Sequence, residues 1–494
     1  MSTAKKFAGQ TAIYGISTIA GRTLNFFLTS VYTRTYSRSI YGIFGSMFAY
    51  ASMLQAIMAF GMETTFFRYL NKHEDKKAQV YNNSFAAVFF TTLVFLISTL
   101  TFLDPLTRWL KIEQTTSFHD YRLYVIYFII FLVVDAWCVV PFAKIRADGR
   151  PGRYGFIKLT NIFTFIALNI IFIYIIPAII KHHLPGGAWL SSWFRPGWLG
   201  YIFLSNLIAS VLTFLLLLPE VSKLRPDLHL QIFKDMLLYS MPVLVANLSY
   251  IINENLDKQL LGKMLPPNIS SQEVGTYVAC AKISVFLSIF VQAFRLGAEP
   301  FFFSHAKNKN AGETYAKIMD YFVIAVCGAF LAISANIELL KYFIGSSYWV
   351  GLDVVPPLLF GYVSLGIYMN LSVWYKLSDQ TRYGLYISGI GAIVTIVLLV
   401  LYIPKYSYMA AAWVSALSYA VTMVLSYIWG QKNYPIPYHL KKNLAYIISS
   451  CVLVYLSYYV FKRNLIIGNA LLLIFAAVAL YFEGGKLKAI FIKK

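Results

Sequence analysis

Polar residues are sparse along this chain. Between their short clusters run at least fourteen apolar stretches, near 9–33, 40–66, 80–104, 121–143, 155–178, 199–219, 236–262, 273–298, 318–338, 352–375, 383–403, 408–430, 443–461 and 464–482. A bilayer core of roughly 30 Å needs about 20 residues of helix, and each stretch meets that length. The pattern predicts an all-α integral membrane protein of about 14 transmembrane helices. These consume most of the 494 residues, so no room remains for a soluble catalytic domain. The longest outside connection, about 182–198, carries Trp189, Trp193 and Trp198, as expected of residues at a membrane interface.

A weak repeat sits on this pattern. The second stretch contains Gly42 and ends Gly61-x-Glu63-x-x-Phe66-Phe67. The eighth contains Gly275 and ends Gly297-x-Glu299-x-x-Phe302-Phe303. The match places helix two against helix eight. It predicts two six-helix halves in the same membrane orientation, 1–220 and 221–435, followed by two extra helices and a basic tail over 436–494.

Composition agrees: 59% of residues are hydrophobic, 13% are charged and the mean hydropathy is +0.63. The net charge of +21 raises the question of nucleic acid, and its distribution answers it. With a cytoplasmic N-terminus, 25 Lys and Arg fall in inside segments, 11 in outside loops and six within spans. That bias orients a multi-pass protein in a cell membrane with both termini cytoplasmic, and it attracts anionic lipid rather than nucleic acid. Lys144, Arg146, Arg150 and Arg153 form one inside cluster, with Lys158 just within the next span. The first stretch is long and contains Gln10, Arg22 and Asn25, which reads as a retained helix rather than a cleaved signal. Cys138, Cys280, Cys327 and Cys451 all lie in apolar stretches and are read as packing residues.

Ionisable residues inside spans are costly and by default mark function. Arg22 is mid-span and shares a helical face with Thr18, Asn25 and Thr29, as a water-filled cavity would require; snorkelling to an interface is the alternative, which its central position disfavours. In the seventh stretch, Glu254 and Lys258 are spaced to pair at i, i+4, with Asp257 beside them; a solvated helix end is the alternative. In the eighth, Gln292, Arg295 and Glu299 share a face and Lys282 lies off it. Arg295 and Glu299 are placed to pair at the cytoplasmic boundary. Asp135 interrupts the fourth stretch, and pairing with a base or proton coupling both stay open. Glu63 is at the boundary, within reach of Arg68 or a neighbouring loop. No Walker loop, HExxH or GxSxG occurs, so no enzyme is predicted.

Gly21-Arg22, the YGIF…GMETTFFRYL segment, FRLGAEPFFF at 294–303 and WYKLSDQTRYG at 374–384 together resemble the polysaccharide flippases (Wzx-type) of the multidrug/oligosaccharidyl-lipid/polysaccharide exporter superfamily. The resemblance covers essentially the whole chain. It implies two six-helix lobes around a central cavity that opens alternately to each side. The implied cargo is a polyprenyl-pyrophosphate-linked oligosaccharide, an O-antigen, capsule or exopolysaccharide repeat unit, moved from the cytoplasmic to the outer leaflet. Arg22 and Lys282 then fit the pyrophosphate best, with Lys258 and Arg295 as further candidates and Asn25 and Gln292 toward the sugar. Glu63, Asp135, Glu254, Asp257 and Glu299 are left for ion coupling or gating, with H⁺, Na⁺ or no ion all open. No cofactor is implied. The implied partners are the lipid-linked glycan, membrane lipids, a polysaccharide polymerase and glycosyltransferases.

A lipid II flippase and a multidrug cation exporter share the architecture. The exporter should line its cavity with acids and aromatics, which Arg22, Lys258 and Lys282 oppose. A membrane glycosyltransferase or polymerase is the reading from another class. It calls for a large external loop, or for acids in the first one, which here reads TRTYSRS.

Overall fold

The computed structural model describes residues 26–492 apart from positions 226, 307, 309 and 379; at 300, 304 and 484–492 it describes the backbone alone. Arg22 and Asn25 therefore lie outside the described residues. The chain is all-helical, with no strand among the described residues. Twelve helical segments there are long and apolar enough to cross a membrane. One of them, Arg382–Asn433, is 52 residues long. A straight helix of that length would span about 78 Å, more than twice a bilayer core. Ser407 breaks it with φ 49° and ψ −136°, just past Pro404. The hydroxyl of Ser418 donates to the Gly391 carbonyl at 3.0 Å, and that of Thr395 to Ser418 at 2.8 Å, so the arms run back along each other. They are the two helices expected at 383–403 and 408–430. The expected helix at 9–33 is described only from residue 26.

The sparsely populated backbone at Ser407 is strained for a residue with a Cβ. Ser407→Gly is expected to raise stability by about 1 kcal/mol, read as a higher unfolding midpoint of the purified protein. An unchanged or lower midpoint would show the turn to be unstrained.

The chain forms two compact units, Met1–Gly275 and Thr276–Lys494. The first holds helix α1 (26–35), α2 (Arg38–Ala59), α3 (Met62–Lys72), α4 (Lys77–Thr101), α5 (Phe118–Ala147), α6 (Pro151–Lys181), α7 (Gly200–Val221) and α8 (Leu230–Met264). The start of α9 (Ser270–His305) also lies in it. Phe60 and Gly61 are left-handed (φ 51° and 65°) and separate α2 from α3. The glycine matched to Gly61 in the repeat behaves differently: Gly297 sits inside continuous α9.

The N-terminal turns of α2 and α9 cross at the other pair of matched glycines. A Cβ on Gly42 would lie 1.8 Å from the Ser271 carbonyl oxygen, and one on Gly275 would lie 1.9 Å from that of Arg38. Small residues allow this backbone approach in lipid-embedded helices. The Ser39 and Ser271 hydroxyls bond at 2.7 Å beside the crossing. The loop before α5 supports it as well: Ser270 donates to the Ile112 carbonyl at 3.2 Å. Burial works to raise the neighbouring Glu113 carboxyl, but hydrogen bonds from Thr115 and Thr116 outweigh it and hold the group below the ordinary glutamate range.

Two asparagines clasp the segment before α8. Asn82 donates to the Asp227 carbonyl and accepts from the Arg225 amide, both at 3.2 Å. Asn83 does the same with both backbone groups of His229, at 3.1 and 3.2 Å. At the end of α7, buried Glu220 accepts from Arg150 at 3.0 Å and from Arg153 at 2.9 Å.

The second unit contains α10 (Ala311–Ala335), α11 (Val355–Leu371), the α12 hairpin (Arg382–Asn433), α13 (Leu440–Tyr455) and α14 (Leu465–Ile492). Aromatic side chains fill its interior. Phe294 meets Phe322 at 4.4 Å between ring centroids, and a Cβ on Gly366 would be 2.8 Å from Phe322. Trp374, 1% exposed, presses on Gly430 of the hairpin. Buried Asp320 of α10 accepts from His439 at 2.8 Å and Lys442 at 3.0 Å, and Lys442 also reaches Glu483 at 2.7 Å. This network fixes the two extra helices to α10.

Candidate functional site: a polar chamber in the first unit

Four spanning helices of the first unit turn polar stripes toward one cavity of about 440 Å³. From α2 come Ser52 and Gln55; from α5, Asp135 and Arg146. α6 supplies Lys158 and Asn161, and α7 supplies Asn206, Ser210 and Thr213. The spacings within each helix, three, four, seven or eleven residues, bring these groups onto single faces. Phe48, Phe131 and Phe142 close the walls. Facing polar stripes inward is the arrangement a membrane-embedded bundle permits, because lipid cannot satisfy such groups.

Asp135 lies near the middle of α5 on the chamber wall, with the Ser210 hydroxyl beside it and Lys158 as its electrostatic neighbour. It forms no ion pair among the described residues. The Lys158 ammonium sits 4.2 Å from the Phe142 ring centroid, a cation–π contact that leaves its N–H donors available. Asn161 donates to Thr213 at 2.9 Å, which leaves its carboxamide oxygen available as an acceptor. Gln55 donates to the Leu132 carbonyl at 3.1 Å and likewise keeps its oxygen. At the solvent-exposed end, Glu63 of α3 pairs with Arg146, whose guanidinium also stacks over Phe67.

Of the residues singled out from the sequence, the chamber gathers Glu63 and Asp135, at its mouth and wall. Glu63 is paired by Arg146 and not by Arg68, which lies over the Tyr239 ring at 4.2 Å. Glu254, Asp257 and Lys258 are elsewhere in the first unit, on α8. The expected Glu254–Lys258 carboxylate pair does not form: Lys258 bonds Asp257 at 2.8 Å and the backbone carbonyl of Glu254 at 2.7 Å. Asp257 is 3% exposed and supplies the less solvated counter-charge.

In the second unit Lys282 is half-buried on α9, and Gln292 donates to Ser288 at 3.0 Å. Arg295 and Glu299 do meet, at 3.7 Å, and Glu299 is held closer by Lys376 at 2.6 Å. These three line a hollow of about 10 Å³, room for about one water. Sequence reasoning passed over Lys158, Asn161, Asn206, Ser210 and Thr213. Their signal was present as polar residues at i, i+3 and i+4 inside apolar stretches.

Over residues 7–298 the chain matches the polysaccharide biosynthesis protein family. No curated protein matches it by sequence. Among solved structures it is similar to the lipid II flippase MurJ in an inward closed conformation, with TM-score 0.70 and 13% identity over 95% of this chain and 99% of that one. It is also similar to an inward-facing multidrug resistance MATE family transporter of the MOP superfamily, with TM-score 0.62 and 13% identity over 84% and 94%. A third is a MOP superfamily transporter from Pyrococcus furiosus, with TM-score 0.53 and 14% identity over 86% and 95%. At these identities the likeness shows the fold, that of a multi-pass membrane transporter. The family match spans more than half of the sequence, and the chain belongs to the polysaccharide biosynthesis protein family.

Proposed function

We propose that this protein flips a polyprenyl-diphosphate-linked oligosaccharide from the cytoplasmic to the outer leaflet of the cell membrane by alternating access, with both termini cytoplasmic. The observation that carries the reading is membership of a polysaccharide biosynthesis family on a chain with a whole-length transporter fold. The cargo chemistry fits. A diphosphate cannot be desolvated in lipid and needs fixed cations, a role for Arg22, Lys258, Lys282 and Arg295. Asn25 and Gln292 suit sugar hydroxyls. Glu63, Asp135, Glu254, Asp257 and Glu299 are the groups available for gating or for H⁺ or Na⁺ coupling. The reaction makes and breaks no covalent bond, so no cofactor is required; a polymerase and glycosyltransferases are the partners expected on either side of the step. The second reading, lipid II as cargo, draws on the likeness to MurJ.

The test is reconstitution. In liposomes loaded with the source cell's lipid-linked oligosaccharides, the protein should make the glycan of the opposite leaflet accessible to a lectin. Transfer of lipid II alone would establish the second reading, and transfer of cationic dyes alone would overturn both. Arg22→Ala is expected to reduce transfer at least tenfold at normal expression, with Arg22→Lys intermediate, because a point charge keeps attraction but loses the bidentate fork. Full transfer by Arg22→Ala would remove Arg22 from the site.

A further inference from the structure

The geometry points to the chamber of the first unit as a glycan-binding subsite, one that holds a neutral, hydroxyl-rich sugar residue of the cargo apart from its diphosphate. This rests on the flippase reading and names what one part of the molecule recognises. Three observations lead to it.

The first is charge balance. The chamber's charges are Asp135, Lys158 and the Glu63–Arg146 pair, which sum to zero. A phosphate needs an excess of cationic donors. A hard divalent cation needs several carboxylate or carbonyl oxygens, and Lys158 shares the space with the single mid-span carboxylate. A neutral ligand meets neither objection.

The second is the inventory of hydrogen-bonding groups. Donors and acceptors are mixed: a carboxylate, an ammonium, the Asn206 carboxamide, the free oxygens of Asn161 and Gln55, and the Ser210 hydroxyl. Ser210 is 1% exposed, and its hydroxyl, although beside Asp135, makes no hydrogen bond of good geometry. Buried polar atoms of this kind are normally satisfied by a partner. Vicinal hydroxyls, which donate and accept together, match planar carboxylate and carboxamide side chains, while Phe48 and Phe131 add apolar wall for the C–H side of a ring.

The third is size. A single water needs about 10–15 Å³ of such space, and a cavity of about 440 Å³ is many times that, enough to admit a hexose ring. In the second unit, among the described residues, the hollow beside the Arg295–Glu299–Lys376 cluster is about 10 Å³, with Phe294 and Phe322 packed next to it.

The experiment compares two probes on the purified full-length protein: lipid-linked oligosaccharides extracted from the source cells, and a polyprenyl diphosphate without sugar. Affinity is read from ligand-induced change in tryptophan fluorescence. The wild type should bind the sugar-bearing lipid at least tenfold more tightly. Asn206→Ala and Ser210→Ala should each cut that ratio threefold or more and leave the sugar-free affinity unchanged. A ratio unchanged in both variants, at wild-type unfolding midpoints, overturns the subsite, and so does an equal loss for both lipids. Should neither variant fold, the wild-type ratio decides, and a value near one overturns it. Equal wild-type affinities sink the subsite and leave the flippase reading standing. Binding of neither lipid sinks the flippase reading itself.

Discussion

Gly42→Ala is expected to break the crossing of α2 and α9 and to reduce transport at least tenfold. The added methyl would sit 1.8 Å from the Ser271 carbonyl oxygen, and the obstructing atom is backbone, which cannot rotate away as a side chain would. To restore even 3.0 Å the two helical turns must part by about 1.2 Å (3.0 minus 1.8). Overpacking of this kind typically costs about 1–3 kcal/mol, and more where backbone meets backbone. The separation would also stretch the 2.7 Å contact between Ser39 and Ser271, which provides the readout. In a chain stripped of its four native cysteines, Ser39→Cys with Ser271→Cys should form a disulfide readily under mild oxidation. Adding Gly42→Ala should slow that reaction at least tenfold. Gly275→Ala should behave alike, because its methyl meets the Arg38 carbonyl at 1.9 Å. Crosslinking at the parental rate in both backgrounds would mean that the crossing tolerates a side chain.

Glu220→Ala is expected to destabilise the first unit by about 2–4 kcal/mol. The carboxylate is 1% exposed and bonds one guanidinium nitrogen from each of Arg150 and Arg153. Removing it leaves Arg150 to Asp148, at 3.0 Å, and Arg153 to the Leu216 carbonyl, at 3.1 Å, so the cluster loses the carboxylate that joins them. Both arginines are 35% exposed, so water recovers part of the loss, and the estimate stays below that for a wholly buried pair. Glu220→Gln keeps the shape and one acceptor and should lose about half as much. The unfolding midpoint in detergent is the measurement, and an alanine variant that melts with the wild type would show the cluster to be inert.

The spans were legible because each is a local property: some twenty apolar residues need no knowledge of their neighbours. The turn between residues 403 and 408 was legible for the same reason. Asp135 stood out because a carboxylate in an apolar run costs free energy wherever the helix packs. Lys158 did not, because it adjoins a basic loop cluster and its sequence context matches that of a residue facing the interface. The chamber was illegible as a whole. Its walls come from α2, α5, α6 and α7, and no periodicity within one helix says which partner that helix will meet. Lys258 shows the same limit on a smaller scale. Spacing favoured Glu254, whereas burial of Asp257 decided the pairing. The matched glycines Gly42 and Gly275 both serve one backbone contact, which the repeat as read from the sequence did not foretell. The matched Gly61 and Gly297 differ locally: one breaks a helix and the other continues it.

The asparagine clasp bears on where this molecule can bend. The run before α8 falls just past residue 220, where the repeat places the boundary between its two expected halves. With Asn82 and Asn83 each holding it through paired backbone hydrogen bonds, it is a bolted joint. Pro242, inside α8, marks the turn where that helix is cheapest to bend, since proline removes a helical hydrogen bond and crowds the preceding turn. The same stretch lies against Gly61, where a Cβ would come within 3.2 Å of the Ser240 carbonyl. The pinned positions 225, 227 and 229 and the proline-bearing turn opposite the break between α2 and α3 thus lie in one stretch, rigid at its start and weakest a few turns later.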